Sequence, residues 1–370
     1  MNLPHHASVP TAAENLIGQE LPGGWIIDRQ IPRAGSAGAT DLSGSFFSIG
    51  YIAKKPAQGK AKEEEAFLKV IDVQQALTLQ TGLMMDRLKL VTESHSFECS
   101  ILDLCDKAKL DRVVQIIAKG ELPPLPGSFI SFPYILFELA DGDVRKIVSR
   151  SDKIDDAWRL RVLHDVAVGL QQLHGLTISH QDLKPSNVLL FEKAGQGAKI
   201  GDLGRASHKS IDAGHDGLIV AGASKYAPPE QVYGIVPERW EDRREGCDLY
   251  HLGTLVTFLF AGISPTDYYS YALNLDVRPA MWGGRSTSDY QMALPLLTAT
   301  FTAFVETISK DFPLWARGEL TQIVMNACNP DFTRRGDPGY RRQVSNSIGI
   351  ETFVSRFDRL AKRAVIEVRR

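Results

Sequence analysis

The chain has 370 residues, 44% of them hydrophobic and 23% charged, enough material for one large bilobal domain or two domains. Its 42 Lys and Arg stand against 44 Asp and Glu, so the formal net charge is −2 and nothing in the balance suits a nucleic-acid partner or an anionic membrane. The four cysteines, Cys99, Cys105, Cys247 and Cys328, show no C-x-x-C spacing and read as buried free thiols of a reducing compartment.

The opening "MNLPHHASVPTAAENL" has neither a positive n-region nor an apolar h-region, so no signal peptide is visible and residues 1–20 read as a flexible lead-in. Strand signals then dominate residues 21–140: "WIIDRQI", "FFSIGYIA", "AFLKVID", "RVVQIIA" and "YILFEL". A single helical stretch interrupts them near 94–108, and the Lys/Glu-rich "KKPAQGKAKEEE" at 54–65 reads as an exposed hairpin turn. "ELADGD" is a short connector, after which helices dominate residues 141–370. In "AWRLRVLHDVAVGLQQLH" the residues Trp158, Val162, Leu163, Val166, Leu170 and Leu173 recur every three or four positions, the spacing of an amphipathic helix. The apolar run "LGTLVTFLFAG" at 252–262 is too short for a membrane span and suits a buried helix. These features predict a soluble cytoplasmic protein with no membrane partner.

"ISHQDLKPSNVLL" at 178–190 places Asp182, Lys184, Pro185 and Asn187 between two apolar strands. A turn needs one Asp or Asn, not this set. Asp202 follows in "KIGDLG", at the end of another short strand, so Asp182, Asn187 and Asp202 are expected to converge at a sheet edge. Oxygen-bearing side chains of this kind suit Mg²⁺, which binds through one or two protein groups together with substrate phosphates. An Asp left free of metal there can orient and deprotonate a hydroxyl, and Lys184 can neutralise a phosphate in flight.

The sequence resembles a eukaryotic-type (Hanks-type) serine/threonine protein kinase of a bacterial sort. "HQDLKPSN" stands where that family has H-R-D-L-K-x-x-N, "DLG" stands for D-F-G and the "PPE" of "KYAPPE" for A-P-E. The resemblance spans about residues 24–365. It implies an α+β, two-lobed protein-kinase-like fold: a small antiparallel β-rich N-lobe with one helix and a larger α-helical C-lobe, forming a single kinase domain. It further implies Asp182 as catalytic base, Lys184 as phosphate-stabilising cation, Asn187 and Asp202 as magnesium ligands, and ATP and Mg²⁺ as cofactors.

Alternation in "AFLKVID" puts Lys69 on a strand flanked by apolar residues, where a lone charge is costly. Glu98, with Ile101, Leu102 and Cys105 three, four and seven residues on, lies on the apolar stripe of its helix; Glu93 is the fallback. The family pairs such a Lys and Glu at the α- and β-phosphates of ATP, which matches Lys69 and Glu98. In "YILFELADGD" the resemblance places Phe137 behind the adenine, the backbone of Glu138 and Ala140 beside it and Asp143 near the ribose, although an ordinary strand and turn fits the same residues. The family's G-x-G-x-x-G is absent; among Gly35, Gly38, Gly44 and Gly50, the tip of the phosphate loop is assigned to Gly44 and Ser45.

Asp248 of "CDLYHLG" is expected to brace the catalytic loop, and Glu230 to pair with Arg335, with Arg334 as second choice. Residues 263–320 are longer and more aromatic than a plain connection needs, which fits either a docking surface for a regulatory protein partner or the core of an enlarged lobe. Gln181 stands where regulated members carry Arg. With no Arg to receive a phosphate, an enzyme active without phosphorylation of segment 202–230 is expected, although Ser207, Ser210 and Ser224 lie in it. The function implied is transfer of the γ-phosphoryl of ATP to a protein Ser/Thr hydroxyl. The rival readings are a pseudokinase that holds nucleotide or a partner, and a small-molecule kinase, which usually lacks the "KYAPPE" platform.

Overall fold

Strand pairing in the computed structural model, which describes residues 11–32, 48–57, 63–79, 83–126, 130–150, 154–286 and 289–367, is confined to one antiparallel sheet and two small sets. The chain divides into two units, Met1–Leu102 with Gln115–Leu139, and Asp103–Val114 with Ala140–Arg370.

The first unit holds β1 (Glu20–Leu21), β2 (Trp25–Gln30), β3 (Ser48–Lys55), β4 (Glu64–Ile71), β5 (Ile116–Leu122) and β6 (Phe132–Glu138), ordered β1-β2-β3-β4-β6-β5 and antiparallel throughout. Alternation sends Ala66, Leu68 and Val70 of β4 into a core with Ile49, Tyr51, Ala53, Tyr134 and Leu136. Phe67, Lys69 and Ile71 therefore occupy the other face. There the register sets Phe67 opposite Phe137 and Lys69 opposite Ile135. The 54–65 hairpin carries its charges in register, Lys54 opposite Glu65 and Lys55 opposite Glu64, which favours this pairing. Its residues 58–62 lie outside the described residues.

Two expectations need correction here. Within the lead-in assigned to residues 1–20, Ala13 and Leu16 are buried in the sheet core and the Tyr51 hydroxyl donates to the Ala13 carbonyl at 2.6 Å; residues 1–10 lie outside the described residues. The unit also has two helices rather than one, α1 (Val73–Leu79) and α2 (Met84–Lys107). The early turns of α2 pack only Val91 and part of Leu88 against α1 and leave Met84, Met85 and Leu90 exposed, so their apolar stripe is narrow in the sequence.

The second unit is mainly helical: α3 (Val144–Arg150), α4 (Asp156–Gly175), α5 (Pro229–Val232), α6 (Gly246–Ala261), α7 (Pro265–Ala272), α8 (Tyr290–Ile308), α9 (Arg317–Ala327), α10 (Pro338–Arg341) and α11 (Ile350–Glu367). Short strands β7 (Gly142–Asp143), β9 (Val188–Phe191) and β10 (Gly197–Ile200) form one antiparallel set, and β8 (Ile178–Ser179) pairs with β11 (Ser207–His208). The Asp155 side chain accepts the Trp158 N–H at 2.6 Å and starts α4, which packs on α11. A π-helical turn, Glu241–Glu245, leads into the deeply buried α6.

Much of the aromatic excess of 263–320 enters the core, although Tyr271 is exposed. Tyr269 stacks on Trp282 with ring centroids 5.5 Å apart, and Tyr290, Phe301 and Phe304 of α8 are buried. Tyr290–Asp311 is long and apolar enough, by length and composition, to cross a membrane, with 33% of that window buried within the fold. Its buried residues Ala293, Leu297, Phe301, Phe304 and Ile308 follow helical spacing.

Candidate active site

Each unit carries its own set of candidate residues. In the first, Lys69 on β4 and Glu98 on α2 meet with Nζ 2.7 Å from Oε1, both almost fully buried. Two buried charges satisfy each other here, as burial of either alone would be costly. Phe97, Ile101 and Leu102 are buried alongside Glu98, whereas Glu93 is exposed and lies 3.7 Å from Lys89. One helical turn before, burial pushes the His95 imidazole down to about 4, with Lys69 and Lys119 adding to the effect, so it is neutral at pH 7.

The segment assigned to the adenine is engaged in part by the fold itself. Phe137 is buried, its ring centroid 6.3 Å from that of Phe67. The Glu138 N–H donates to the Gln115 carbonyl at 3.1 Å, and its Oε1 accepts the Gln115 N–H at 2.8 Å. Ala140 begins the second unit and is half-buried. Asp143 Oδ1 accepts the Lys146 N–H at 3.0 Å at the start of α3, and Oδ2 lies 3.3 Å from Lys146 Nζ, so the ordinary-turn reading accounts for this carboxylate locally. Gly44 and Ser45, together with Gly35 and Gly38, lie outside the described residues.

In the second unit α4 ends at Gly175, β8 follows, and the polar loop runs into a 3₁₀ turn at Pro185–Asn187, where the proline sits at the first turn position that its ring favours. Lys184 Nζ donates to Asp182 Oδ2 at 2.8 Å, and Asn187 Nδ2 to the Asp182 carbonyl at 2.8 Å. Asp182 Oδ1 accepts the Ala223 N–H at 2.7 Å. At Gly222 a Cβ would lie 2.4 Å from the Gln181 carbonyl oxygen, so only glycine lets the later segment approach this closely. The Gly201 N–H donates to the Asn187 carbonyl at 2.9 Å, and the Gly201 carbonyl lies 3.0 Å from His180 Nε2, which sets Asp202 beside the loop with a left-handed φ of 61°. The structure therefore gathers Asp182, Lys184 and Asn187 and sets Asp202 next to them.

This donor set fits Mg²⁺. With Nδ2 fixed on the Asp182 carbonyl, the Asn187 amide turns its oxygen the other way, and the Asp202 carboxylate would be the second hard oxygen donor. Among the described residues no group of three or more His, Cys, Asp or Glu gathers to hold a metal ion, and Mg²⁺ needs no such cage when phosphates complete its shell.

Asp248 braces the loop from beneath. Its carboxylate accepts the His180 and Gln181 N–H groups at 2.8 Å each and the Ser179 hydroxyl at 2.7 Å, and it lies 2.9 Å from His174 Nε2. Burial by itself would raise its pKa, but His174, His180 and the Gln181 N–H together outweigh burial and hold the carboxyl below its ordinary value. These bonds hold Gln181 at a left-handed φ of 64°, a cost that non-glycine residues carry only where the surroundings impose it. Sequence reasoning missed the other partners of Gln181. Arg244 and Asp216 close a network on it, and Ser207 is buried and donates to Asp216 Oδ1 at 2.7 Å. The available signal was "DRREGCD", which sets two arginines shortly before the residue that holds the loop.

A family model, the protein kinase domain, matches residues 60–298, more than half of the chain. The chain is similar to the inhibitor of nuclear factor kappa-B kinase subunit alpha of Xenopus tropicalis, 28% identical over 189 residues covering 48% of this chain and 23% of that protein. It is similar to a probable serine/threonine-protein kinase of Corynebacterium efficiens, 33% identical over 129 residues covering 34% of this chain and 19% of that protein. Similarity to serine/threonine-protein kinase Nek2 of Homo sapiens is 31% identity over 147 residues, 37% of this chain and 31% of that protein. The chain thus spans between 19% and 31% of the length of these relatives, which come from animals and a bacterium and so assign a family without assigning a source.

Proposed function

The chain belongs to the protein kinase domain family, and on that premise we propose that it transfers the γ-phosphoryl group of ATP to a serine or threonine hydroxyl of a protein. The observation that carries the reading is the hydrogen-bonded set of Asp182, Lys184 and Asn187 with Asp202 adjacent. Asp182 accepts the acceptor hydroxyl's proton as its oxygen bonds to the γ-phosphorus and the bond to ADP breaks. Lys184 screens charge on the group in transfer and keeps Asp182 oriented. Asn187 and Asp202 would hold Mg²⁺, which when bound neutralises phosphate charge. Lys69, held by Glu98, binds the α- and β-phosphates. Lys184 at the second position after the base supports the Ser/Thr class. The four free thiols support a reducing, cytoplasmic setting.

The test is incubation of the purified chain with labelled ATP, Mg²⁺ and a generic basic protein, followed by phosphosite mapping. Label on Ser or Thr is expected. ATP binding without transfer would make the protein a nucleotide-holding module, and label on a small-molecule hydroxyl alone would move it to another class of acceptor. The Lys69–Glu98 pair gives a sharper expectation. Glu98→Gln should lower kcat/KM for ATP about tenfold or more, the scale of a lost charge-assisted hydrogen bond of about 1.5–3 kcal/mol. Glu93→Gln, on an exposed face, should match wild type. Steady-state kinetics showing the opposite order would remove Glu98 from the phosphate site.

A further inference from the structure

Arg244 reads both ends of the Gln181 amide. Its guanidinium Nη1 donates to Gln181 Oε1 at 3.0 Å, while its own carbonyl accepts Gln181 Nε2 at 3.0 Å and lies 2.9 Å from the Ser179 hydroxyl oxygen. The residue lies in the π-helical turn Glu241–Glu245, a wider turn than an α-helix makes, and both its carbonyl and its side chain reach the same loop. It is nearly fully buried, and a buried guanidinium requires an anionic partner.

That partner is Asp216, from the segment after Asp202. Arg244 Nη2 donates to Asp216 Oδ1 at 2.8 Å and to its carbonyl at 3.1 Å, and Arg243 Nη2 donates to the same carbonyl at 2.6 Å. The Asp216 carboxylate also accepts the Ser207 hydroxyl at 2.7 Å and the Ala213 N–H at 2.8 Å, tying its own loop together. One carboxylate and one guanidinium thus join the segment from Ser207 to Asp216 to Gln181, the residue before the base. A phosphate on such a segment acts in the same physical way, as a fixed anion that pairs with arginine and orders the loop. Here the anion is encoded.

We propose that Arg244 and Asp216 form a built-in clamp that sets the catalytic loop and the segment after Asp202 in working register with no phosphate on that segment. Arg244 is the positioning residue and Asp216 supplies its permanent charge. The proposal rests on the kinase reading for its catalytic consequence, and its structural consequence is measurable apart from activity. Ser207, one of the candidate phosphosites, is an internal donor to the clamp and is fully buried, so it serves the ordered state unmodified.

The test uses the full chain after phosphatase treatment, with Asp216→Asn, Asp216→Glu and Arg244→Lys, read by hydrogen exchange over residues 203–223 and by steady-state kinetics. Treated wild type should show a protected segment and full turnover with no lag. Asp216→Asn should exchange about tenfold faster in that segment. Its kcat should fall about tenfold, with KM for ATP within about twofold of wild type, because the lesion acts on the base's setting rather than on nucleotide binding. Arg244→Lys should behave alike, since one ammonium cannot reproduce a fork that meets both an amide and a carboxylate. Asp216→Glu, which keeps the charge, should restore most of both readouts. Wild-type exchange and turnover in Asp216→Asn would overturn the clamp, as would loss of wild-type activity on phosphatase treatment. A loosened segment in Asp216→Asn alongside a wild type that transfers no phosphate would uphold the clamp and sink the kinase reading instead.

Discussion

Asp182→Asn should lower kcat by about 10²–10⁴-fold, the usual contribution of a positioned general base, while KM for ATP stays near wild type. The substitution keeps the side chain's shape and removes its negative charge. Asp182 Oδ1 accepts the Ala223 N–H and Oδ2 accepts Lys184 Nζ, so the carboxylate is an acceptor on both sides. An amide has one acceptor and one donor end, and whichever way it turns, its NH₂ faces a second donor. The loop therefore also loses one hydrogen bond at a buried site, about 1–3 kcal/mol. That cost leaves the chain folded, because Asp248 anchors the neighbouring backbone independently. Asp202→Ala should reach a similar loss by another route, since under the proposed mechanism it removes one of the two side chains that would hold Mg²⁺. In that variant raised Mg²⁺ should recover part of the rate, whereas in Asp182→Asn it should recover none. Turnover near wild type in Asp182→Asn, measured on protein whose cooperative thermal transition shows it folded, would sink the assignment of Asp182 as base.

What the sequence disclosed was what it keeps close together. Asp182, Lys184 and Asn187 fall within six residues, and their chemistry is excessive for a turn, so the loop announced itself. Lys69 and Glu98 were legible because each placed a charge where the local period called for an apolar residue, a misfit that pairing resolves. The alternation of β4 and the three- and four-residue spacing of α4 likewise carried their elements. The first turns of α2 carried theirs only weakly, because only Val91 and part of Leu88 are buried there while Met84, Met85 and Leu90 are exposed, so the apolar face is narrow. Asp143 read as a ribose ligand only through the resemblance, and its carboxylate caps α3. Arg244 and Asp216 were hidden for a different reason. They are separated by 28 residues, Asp216 in an irregular segment and Arg244 in a single π-helical turn, and they acquire meaning only from the fold that joins them to Gln181. Long-range polar networks leave little local pattern, so the departure at Gln181 and the paired arginines of "DRREGCD" were the traces of theirs.

Arg335→Ala should destabilise the protein by about 3–5 kcal/mol, the cost of leaving a buried charge without its partner. Arg335 and Glu230 are 105 residues apart in sequence and meet in a two-pronged pair, Nη1 to Oε1 and Nη2 to Oε2, both at 2.7 Å. Neither side chain is more than marginally accessible. The guanidinium also lies over the Tyr250 ring at 5.0 Å and donates through Nε to the Asn329 carbonyl at 3.1 Å. Burial alone would lower the Arg335 pKa, but Glu230 outweighs it and holds the group above its ordinary value, so the guanidinium keeps its charge. Glu230 sits on α5, directly after "KYAPP", so the pair fixes the end of the segment that the kinase reading gives to the protein substrate. Arg335→Lys should recover little, because a single ammonium cannot meet both carboxylate oxygens while facing the ring. Arg335→Met combined with Glu230→Leu should recover much of the stability, since an apolar pair removes both buried charges at once. It should nevertheless raise KM for protein substrate more than KM for ATP, because the platform loses its directional tie. The measurement is urea unfolding of the single and double variants beside substrate kinetics. A single-variant loss below about 1 kcal/mol, a value ordinary for an exposed pair, would show that this bridge does not hold the helical unit together.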